Sequence, residues 1–194
     1  MEAGLRERKK ERTRQELMRS ALDQFAARGF DQVTVEDIAS ACDVSPRTFF
    51  RYFSSKDDVL FAESDRSLVA LLDALSHQPR DLPVLLALQQ SVRALADNYE
   101  HQKIDVRLRH KIILATPALR TRVGERHQGW ETAVIDQLHI TGHTVGMSEL
   151  DVRLVVAASL TGLRVAMSQW TSESEDADLT SLIDATFDRL RQGF

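Results

Sequence analysis

Apolar residues recur along most of the chain at intervals of three and four positions, the spacing that places side chains on one face of an α-helix. The first stripe, from Leu17 to Phe25, predicts an amphipathic helix over residues 6–28, and Gly29 favours its termination there. No stretch of useful length alternates in the manner of a β-strand. The pattern therefore predicts an all-α protein.

Two short helices are predicted between residues 34 and 53. Thr34 to Asp37 has the capping-box pattern that starts a helix. After a turn of about four residues, Ser45 is a favourable N-cap and Pro46 suits the first helical position of a helix that runs to Phe53. Two short helices joined by a tight turn have the layout of a helix-turn-helix.

Longer helices are predicted beyond this pair, separated by prolines, glycines and polar runs. Their ranges are 56–77, 83–101, 103–115, 117–138, 148–170 and 179–192. Residues 171–178 are acidic and polar and predict a loop on the surface. The whole chain is therefore expected to contain about nine helices.

Charge adds a qualification to this picture. The 194 residues carry a net charge of −4, which taken alone argues against a nucleic-acid-binding protein. The charge is unevenly distributed, because residues 1–19 hold seven basic and four acidic side chains, whereas residues 59–194 hold fourteen basic and eighteen acidic ones. The first helix is therefore basic, and the acidity belongs to the later helices.

Composition narrows the possible chemistry. Cys42 is the only cysteine, which excludes an internal disulfide, and we expect it to pack in the core of the first domain. No apolar run approaches the roughly 20 residues of a membrane span. There is no Gly-rich phosphate loop or nucleophile elbow, and Thr141 and Gly142 interrupt the helix that would align His139 and His143 on a metal. We predict a cytoplasmic protein without catalytic activity, metal or cofactor.

The second helix of the short pair carries side chains suited to DNA. Phe49 and Phe53 lie four residues apart and should pack inward. The positions that then face outward are Arg47, Thr48, Arg51 and Tyr52. Arginine can pair with guanine in the major groove, threonine can contact a thymine methyl group, and helix starts such as Ser45–Pro46 favour phosphate oxygens. Ordinary solvent-facing polar residues would show the same composition.

Residues 13–61 resemble the N-terminal domain of the tetracycline-repressor (TetR) family of transcription regulators. The matching positions are Ala21, Leu22, Phe25, Gly29, Phe30, Thr34, Val35, Ile38, Ala39 and the run from Val44 to Lys56. The resemblance implies an all-helical homodimer with a helix-turn-helix domain over residues 1–55 and a ligand-binding and dimerisation domain over residues 56–194.

The resemblance also implies roles for individual residues. Arg47 and Thr48 occupy positions that contact bases in the family, and Thr34, Phe50, Tyr52 and Lys56 occupy positions that contact phosphates. Together with the helix start, the outward face and a basic N-terminal arm, the predicted DNA-binding set is Thr34, Ser45, Pro46, Arg47, Thr48, Phe50, Arg51, Tyr52, Lys56, Arg6, Lys9 and Lys10. The family usually has tyrosine in place of Phe50 and glycine in place of Asp43, so one phosphate-binding hydroxyl is missing.

The last two helices are the predicted dimer interface, because the first is rich in small and branched residues and the second has an apolar stripe. The residues are Val155, Val156, Ala157, Ala158, Ser159, Gly162 and Ala166 in the first and Leu179, Leu182, Ile183, Phe187 and Leu190 in the second. Both features also suit the core of a monomer. For the effector, the predicted pocket residues are Tyr99, Arg107, Ile113, Trp130, Val134, Met167 and Trp170. The segment from Arg107 to Trp130 resembles actinobacterial members of the family that are associated with acyl-CoA-type ligands.

The predicted function is a repressor that binds a palindromic operator in double-stranded DNA as a homodimer and is released by a small, largely apolar effector. Two alternatives remain open. The bundle can serve only to dimerise a ligand-independent DNA-binding or architectural protein. Alternatively, the chain can be a protein-interaction bundle whose helix-turn-helix no longer binds DNA, for which the missing hydroxyl at Phe50 is the sole support in the sequence.

Overall fold

A computed structural model describes residues 2–172 and 177–193 of the chain. Within these ranges there are nine α-helices, one short 3-10 turn after the first of them, and no β-strand. The helices are α1 (Glu2–Arg28), α2 (Val35–Ala41), α3 (Pro46–Phe50), α4 (Asp58–Ser76), α5 (Val84–His101), α6 (Lys103–Ala115), α7 (Pro117–Thr141), α8 (Glu149–Ser172) and α9 (Leu179–Gln192). The all-α prediction is confirmed for the part of the chain that the structure describes.

The main departure from the predicted helices lies at α3, which ends at Phe50 rather than at Phe53. Serines follow at positions 54 and 55, and serine favours caps over helix interiors. Ser55 Oγ accepts a hydrogen bond of 3.3 Å from the amide of Asp58, so α4 begins two residues later than predicted. The acidic loop was predicted to begin at residue 171, but α8 continues to Ser172. Residues 173–176 of this predicted loop lie outside the described part of the chain.

The described residues form two compact units. The first comprises the chain up to Ser64 together with Arg107–Arg120, and the second comprises Asp65–Val106 and the chain from Thr121 onward. The core of the first unit contains the predicted stripe of α1 and both inward-facing aromatic residues. Its members include Leu17, Ala21, Leu22, Phe25, Ile38, Phe49 and Phe53, all almost completely buried.

The second unit is built around α5, α8 and α9, which pack on one another. Many of the residues that the sequence suggested for a dimer interface lie inside this core instead: Val156, Ser159, Gly162, Ala166, Leu179, Ile183 and Phe187. Their assignment to an interface is wrong, because side chains that are buried within one subunit cannot contact another. Any dimer surface on α8 and α9 has to use their opposite faces.

Among the described residues, no helix combines the length and the apolar character needed to cross a membrane.

Candidate nucleic-acid interface

Helix α2 begins with the capping box that the sequence predicted. The Thr34 hydroxyl accepts from the amide of Asp37 at 3.1 Å, and the Asp37 carboxylate accepts from the amide of Thr34 at 2.9 Å. These bonds hold the pKa of Asp37 below its usual value, with a smaller contribution from Arg28, whose guanidinium lies 3.2 Å from the carboxylate. The start of α2 is therefore fixed both locally and against the end of α1.

A tight turn separates α2 from α3. Asp43 takes a positive φ of 53°, a conformation that aspartate tolerates better than most side chains, and the amide of Val44 donates to the carbonyl of Ala39 at 3.0 Å. Cys42 is only half-buried, not in the core as predicted, because it forms the C-cap of α2 next to solvent. Its thiol lies 3.5 Å from the carbonyl of Glu16, and partial burial raises its pKa.

Helix α3 is a single short turn whose start is capped as predicted. Ser45 Oγ accepts from the amide of Thr48 at 3.2 Å, and Pro46 occupies the first turn. The Arg47 side chain is exposed. Thr48 is half-buried, and its hydroxyl shares a hydrogen bond of 3.1 Å with the Ser45 hydroxyl. The two residues predicted to contact bases are thus a solvent-facing arginine and a threonine that is already oriented by the cap.

Two aromatic rings attach α3 to the core of the first unit. Phe49 is fully buried, its ring centroid lies 5.4 Å from that of Phe53, and both rings turn away from solvent. The Arg14 guanidinium lies over the Phe53 ring at 5.6 Å and forms an ion pair of 3.3 Å with Glu63. Sequence reasoning missed this pair, because its members are separated by 49 positions and no local pattern connects them.

Phe50 stands where the family usually has tyrosine, and Arg51 and Tyr52 follow it directly. Phe50 is 54% exposed, and its ring centroid lies 5.6 Å from that of Phe49, with the two rings nearly perpendicular. Arg51 donates to the hydroxyl of Tyr52 at 3.3 Å, and its guanidinium lies 5.1 Å from the centre of the Tyr52 ring. A phenolic hydroxyl with a cation beside it is therefore present two positions after Phe50.

Lys56 has a structural role that the sequence did not reveal. Its ammonium group donates to the carbonyls of Phe30 and Val33 at 2.9 and 3.0 Å and lies 4.3 Å from the centre of the Phe30 ring. An ammonium has three donors, so one remains for a further acceptor such as a phosphate. Lys56 thereby joins the loop that follows α1 to the segment that leads into α4.

The predicted basic arm is the beginning of α1 itself. The helix starts at Glu2, four residues before the predicted start, and the side chains of Arg6, Lys9 and Lys10 are all exposed. The arm is therefore a helical extension of the first unit with its cations in solvent.

The predicted effector residues do not all belong to one unit. Arg107 and Ile113 lie in the first unit. The other five lie in the second, where Val134 and Trp170 are completely buried in the hydrophobic core and Tyr99, Trp130 and Met167 pack against it. The Tyr99 hydroxyl donates to Ser67 Oγ at 2.7 Å. Across the described residues, no cluster of three or more His, Cys, Asp or Glu side chains is suited to a metal ion.

Comparison with known proteins agrees with this arrangement. The chain matches the model of the tetR family of bacterial regulatory proteins over residues 17–62 and that of the MftR C-terminal domain over residues 82–194. It is 32% identical to the HTH-type transcriptional regulator TcmR of Streptomyces glaucescens, over 97% of this chain and 87% of TcmR. It is 27% identical to MftR of Mycobacterium tuberculosis, a proposed regulator of mycofactocin biosynthesis, over 89% of this chain and 86% of MftR.

A solved structure shows the same fold. FadR of Thermus thermophilus, a TetR-family transcriptional repressor in complex with lauroyl-CoA, superimposes with a TM-score of 0.62 at 20% identity, covering 93% of this chain and 94% of FadR. The capped helix pair and the helical second unit thus define a helix-turn-helix DNA-binding regulator. The chain belongs to the TetR family of transcriptional regulators, as its sequence predicted.

Proposed function

We propose that the protein is a homodimeric repressor that binds a palindromic operator in the cytoplasm and is released by a small, largely apolar effector resembling an acyl-CoA. The observation that carries the DNA-binding part is α3, where a capped helix start, an exposed Arg47 and a buried Phe49 occur within five residues. The buried ring fixes the orientation of the helix, so the guanidinium projects from a rigid base.

Base recognition is assigned to Arg47 and Thr48. Phosphate contacts are assigned to the helix starts, to the aromatic positions beside α3, to the remaining donor of Lys56 and to the basic face of α1. These residues are Thr34, Ser45, Pro46, Phe50, Arg51, Tyr52, Lys56, Arg6, Lys9 and Lys10. Phosphate contacts position a protein on the duplex, whereas contacts to base edges provide the specificity.

Dimerisation is assigned to the outward faces of α8 and α9. On α8, Leu150, Leu154 and Val165 are exposed large apolar side chains, although the opposite face of the same helix is buried in the core. A helix that is apolar on two faces favours burial against a second partner. A two-fold dimer would present two recognition helices to a palindromic site.

An effector of the acyl-CoA class is supported by two observations. FadR, which shares this fold, was crystallised with lauroyl-CoA. In this chain, Tyr99, Trp130 and Met167 pack against the core of the second unit with part of their surface exposed, which suits the wall of a pocket for an acyl chain. Val134 and Trp170, which lie in the same core, are assigned to the same wall.

The DNA-binding part is tested with an Arg47→Ala variant. Fluorescence anisotropy is measured with DNA from the region flanking the gene of this protein, with Arg80→Ala as a matched control, because Arg80 is an exposed arginine of the second unit. If Arg47 contacts a base, specific binding should weaken by about 1–3 kcal/mol, roughly 5- to 150-fold, and the control should bind normally. Equal binding by both variants and the wild type would contradict the assignment of Arg47.

The effector part is tested with the wild-type protein and lauroyl-CoA. Release of the operator fragment during a lauroyl-CoA titration would support the proposal. A complex that persists at saturating lauroyl-CoA would reject this effector class and favour the alternative, a ligand-independent dimeric DNA-binding protein.

A further inference from the structure

Two cationic side chains hold the segment between α1 and α2 through its backbone carbonyls. The Lys56 ammonium donates to the carbonyls of Phe30 and Val33 at 2.9 and 3.0 Å. The Arg28 guanidinium donates to the carbonyl of Gln32 at 3.0 Å. Hydrogen bonds from cations are roughly twice as strong as those between neutral groups, so these two side chains set the path of the chain into α2.

The two cations differ in how firmly they are placed. The Arg28 side chain is 47% exposed and forms an ion pair with Asp37, and exposed ion pairs contribute little to stability. Lys56 is half-buried, and its ammonium lies 4.3 Å from the centre of the Phe30 ring. This ring is itself buried, with its centroid 5.0 Å from that of Phe25. Lys56 therefore holds the segment more firmly than Arg28 does.

The peptide group between Val33 and Thr34 is held on both sides. Its oxygen accepts from Lys56, and its N–H donates to the Asp37 carboxylate at 2.9 Å. A peptide group is planar, so bonds to both polar atoms fix its orientation. The Thr34 hydroxyl accepts from the amide of Asp37 at 3.1 Å and retains a proton that it can donate to another acceptor. The direction of this hydroxyl therefore depends on contacts made by Lys56.

Lys56 also connects the two outer ends of the helix-turn-helix. The turn at Asp43 joins the end of α2 to the beginning of α3. Lys56 follows α3 in the chain and reaches back to the residues that precede α2. Contacts at both ends of the motif restrict the angle between α2 and α3 more than the turn alone would.

We propose that Lys56 is a positioning residue for DNA binding, which holds Thr34 where its hydroxyl can donate to a phosphate. This role rests on the proposed function, in which Thr34 and the remaining donor of Lys56 each contact the DNA backbone. It adds that the two residues are coupled, because loss of the Lys56 ammonium also removes the contribution of Thr34. A lysine that contacted a phosphate independently would have no such effect.

A double-mutant cycle tests the coupling. Thr34→Val, Lys56→Met and the double variant are compared with wild type by fluorescence anisotropy on the DNA that flanks the gene. Valine keeps the branched shape of threonine and suits the extended backbone of Thr34, which has a φ of −100° and a ψ of 166°.

The cycle has two distinct outcomes. In the wild-type background, Thr34→Val should weaken binding about three- to tenfold, the usual effect of losing one hydrogen bond. In the Lys56→Met background, the same substitution should weaken it less than about twofold, since residues of one hydrogen-bond network do not act additively. An equal loss in both backgrounds would overturn the proposed coupling.

The salt dependence of the same titrations tests the direct phosphate contact separately. If the remaining donor of Lys56 neutralises a phosphate, Lys56→Met should make the slope of log K against log salt shallower by about 0.9. The matched control is Lys111→Met, which removes an exposed lysine of α6 from the same unit and should leave affinity and slope unchanged. An unchanged slope in Lys56→Met, together with coupling in the cycle, would refute the direct contact and support the positioning role.

Amide exchange gives a measurement that needs no DNA. The Thr34 amide should exchange with solvent about two- to tenfold faster in Lys56→Met than in wild type or Lys111→Met, because its hydrogen bond to Asp37 is loosened. The amide of Leu22, in the core of the first unit, reports on general loss of stability. If wild type does not bind the DNA, the proposed function fails for that DNA, and exchange alone decides the role of Lys56. Unchanged exchange at Thr34, or acceleration confined to Leu22, would overturn that role.

Discussion

Replacement of Gly162 by alanine tests the close packing of α8 on α9. A Cβ atom at this position would lie 2.9 Å from the Cγ2 methyl of Thr186 and 3.3 Å from Cδ1 of Leu190, whereas carbon atoms prefer a separation of roughly 3.5–4.0 Å. Leu190 can move its flexible end. Thr186 cannot turn its methyl away without cost, because its hydroxyl donates to the carbonyl of Leu182 at 2.7 Å and its β-branched side chain is restricted.

Two opposing contributions determine the size of the effect. Alanine is more favourable than glycine inside a helix by roughly 0.8–1 kcal/mol, and overpacking a core costs typically about 1–3 kcal/mol. We therefore expect the free energy of unfolding of Gly162→Ala to be lower than that of wild type by about 0–2 kcal/mol. The measurement is urea denaturation followed by circular dichroism, at fixed protein concentration because the stability of the proposed dimer would depend on that concentration.

Two glycines of α7 provide matched controls. A Cβ at Gly124 or Gly129 would meet nothing within 4 Å, so alanine there should raise the free energy of unfolding by up to about 1 kcal/mol. The difference between Gly162→Ala and these controls is the cost of the close contact, about 1–3 kcal/mol. If all three variants gained stability equally, the argument that α8 and α9 depend on a glycine at position 162 would be refuted.

Two further predictions concern the affinity of α3 for DNA and the loss of folding stability at acid pH. Phe50→Tyr adds the hydroxyl that the family usually has at this exposed position. One more hydrogen bond to a phosphate should tighten operator binding by about 0.5–1.5 kcal/mol, measured by fluorescence anisotropy. An unchanged affinity would show that this position does not reach the DNA. Hydrogen bonds from Ser181 lower the pKa of Asp178, the N-cap of α9, so its contribution to stability is complete above the usual pKa of 3.8 and is lost as the pH falls through the lower folded-state value. In Asp178→Asn, the free energy of unfolding should therefore fall less between pH 7 and pH 2 than it does in wild type. Denaturation measurements over this pH range check the prediction, and a pH profile identical to that of wild type would contradict it.

The local elements could be predicted because their signals are local. The capping box at Thr34, the N-cap at Ser45 and the periodic apolar positions each depend on residues within a few places of one another, and the structure confirms the helix starts at Thr34 and Ser45. The end of α3 was placed three residues too late. There, the burial of Phe53 is achieved by a turn after the helix rather than by its continuation.

The sequence by itself determined the all-helical class, the family and the outward position of Arg47 on α3, because these follow from spacing and from a contiguous motif. Tertiary structure alone decided which face of α8 is buried, because a helix that is apolar on two sides does not indicate which side its own chain covers. It also decided the contacts of Lys56 with Phe30 and Val33 and the ion pair of Arg14 with Glu63. These partners lie 23 or more positions away, and long cationic side chains can reach many acceptors, so only the packed chain selects among them.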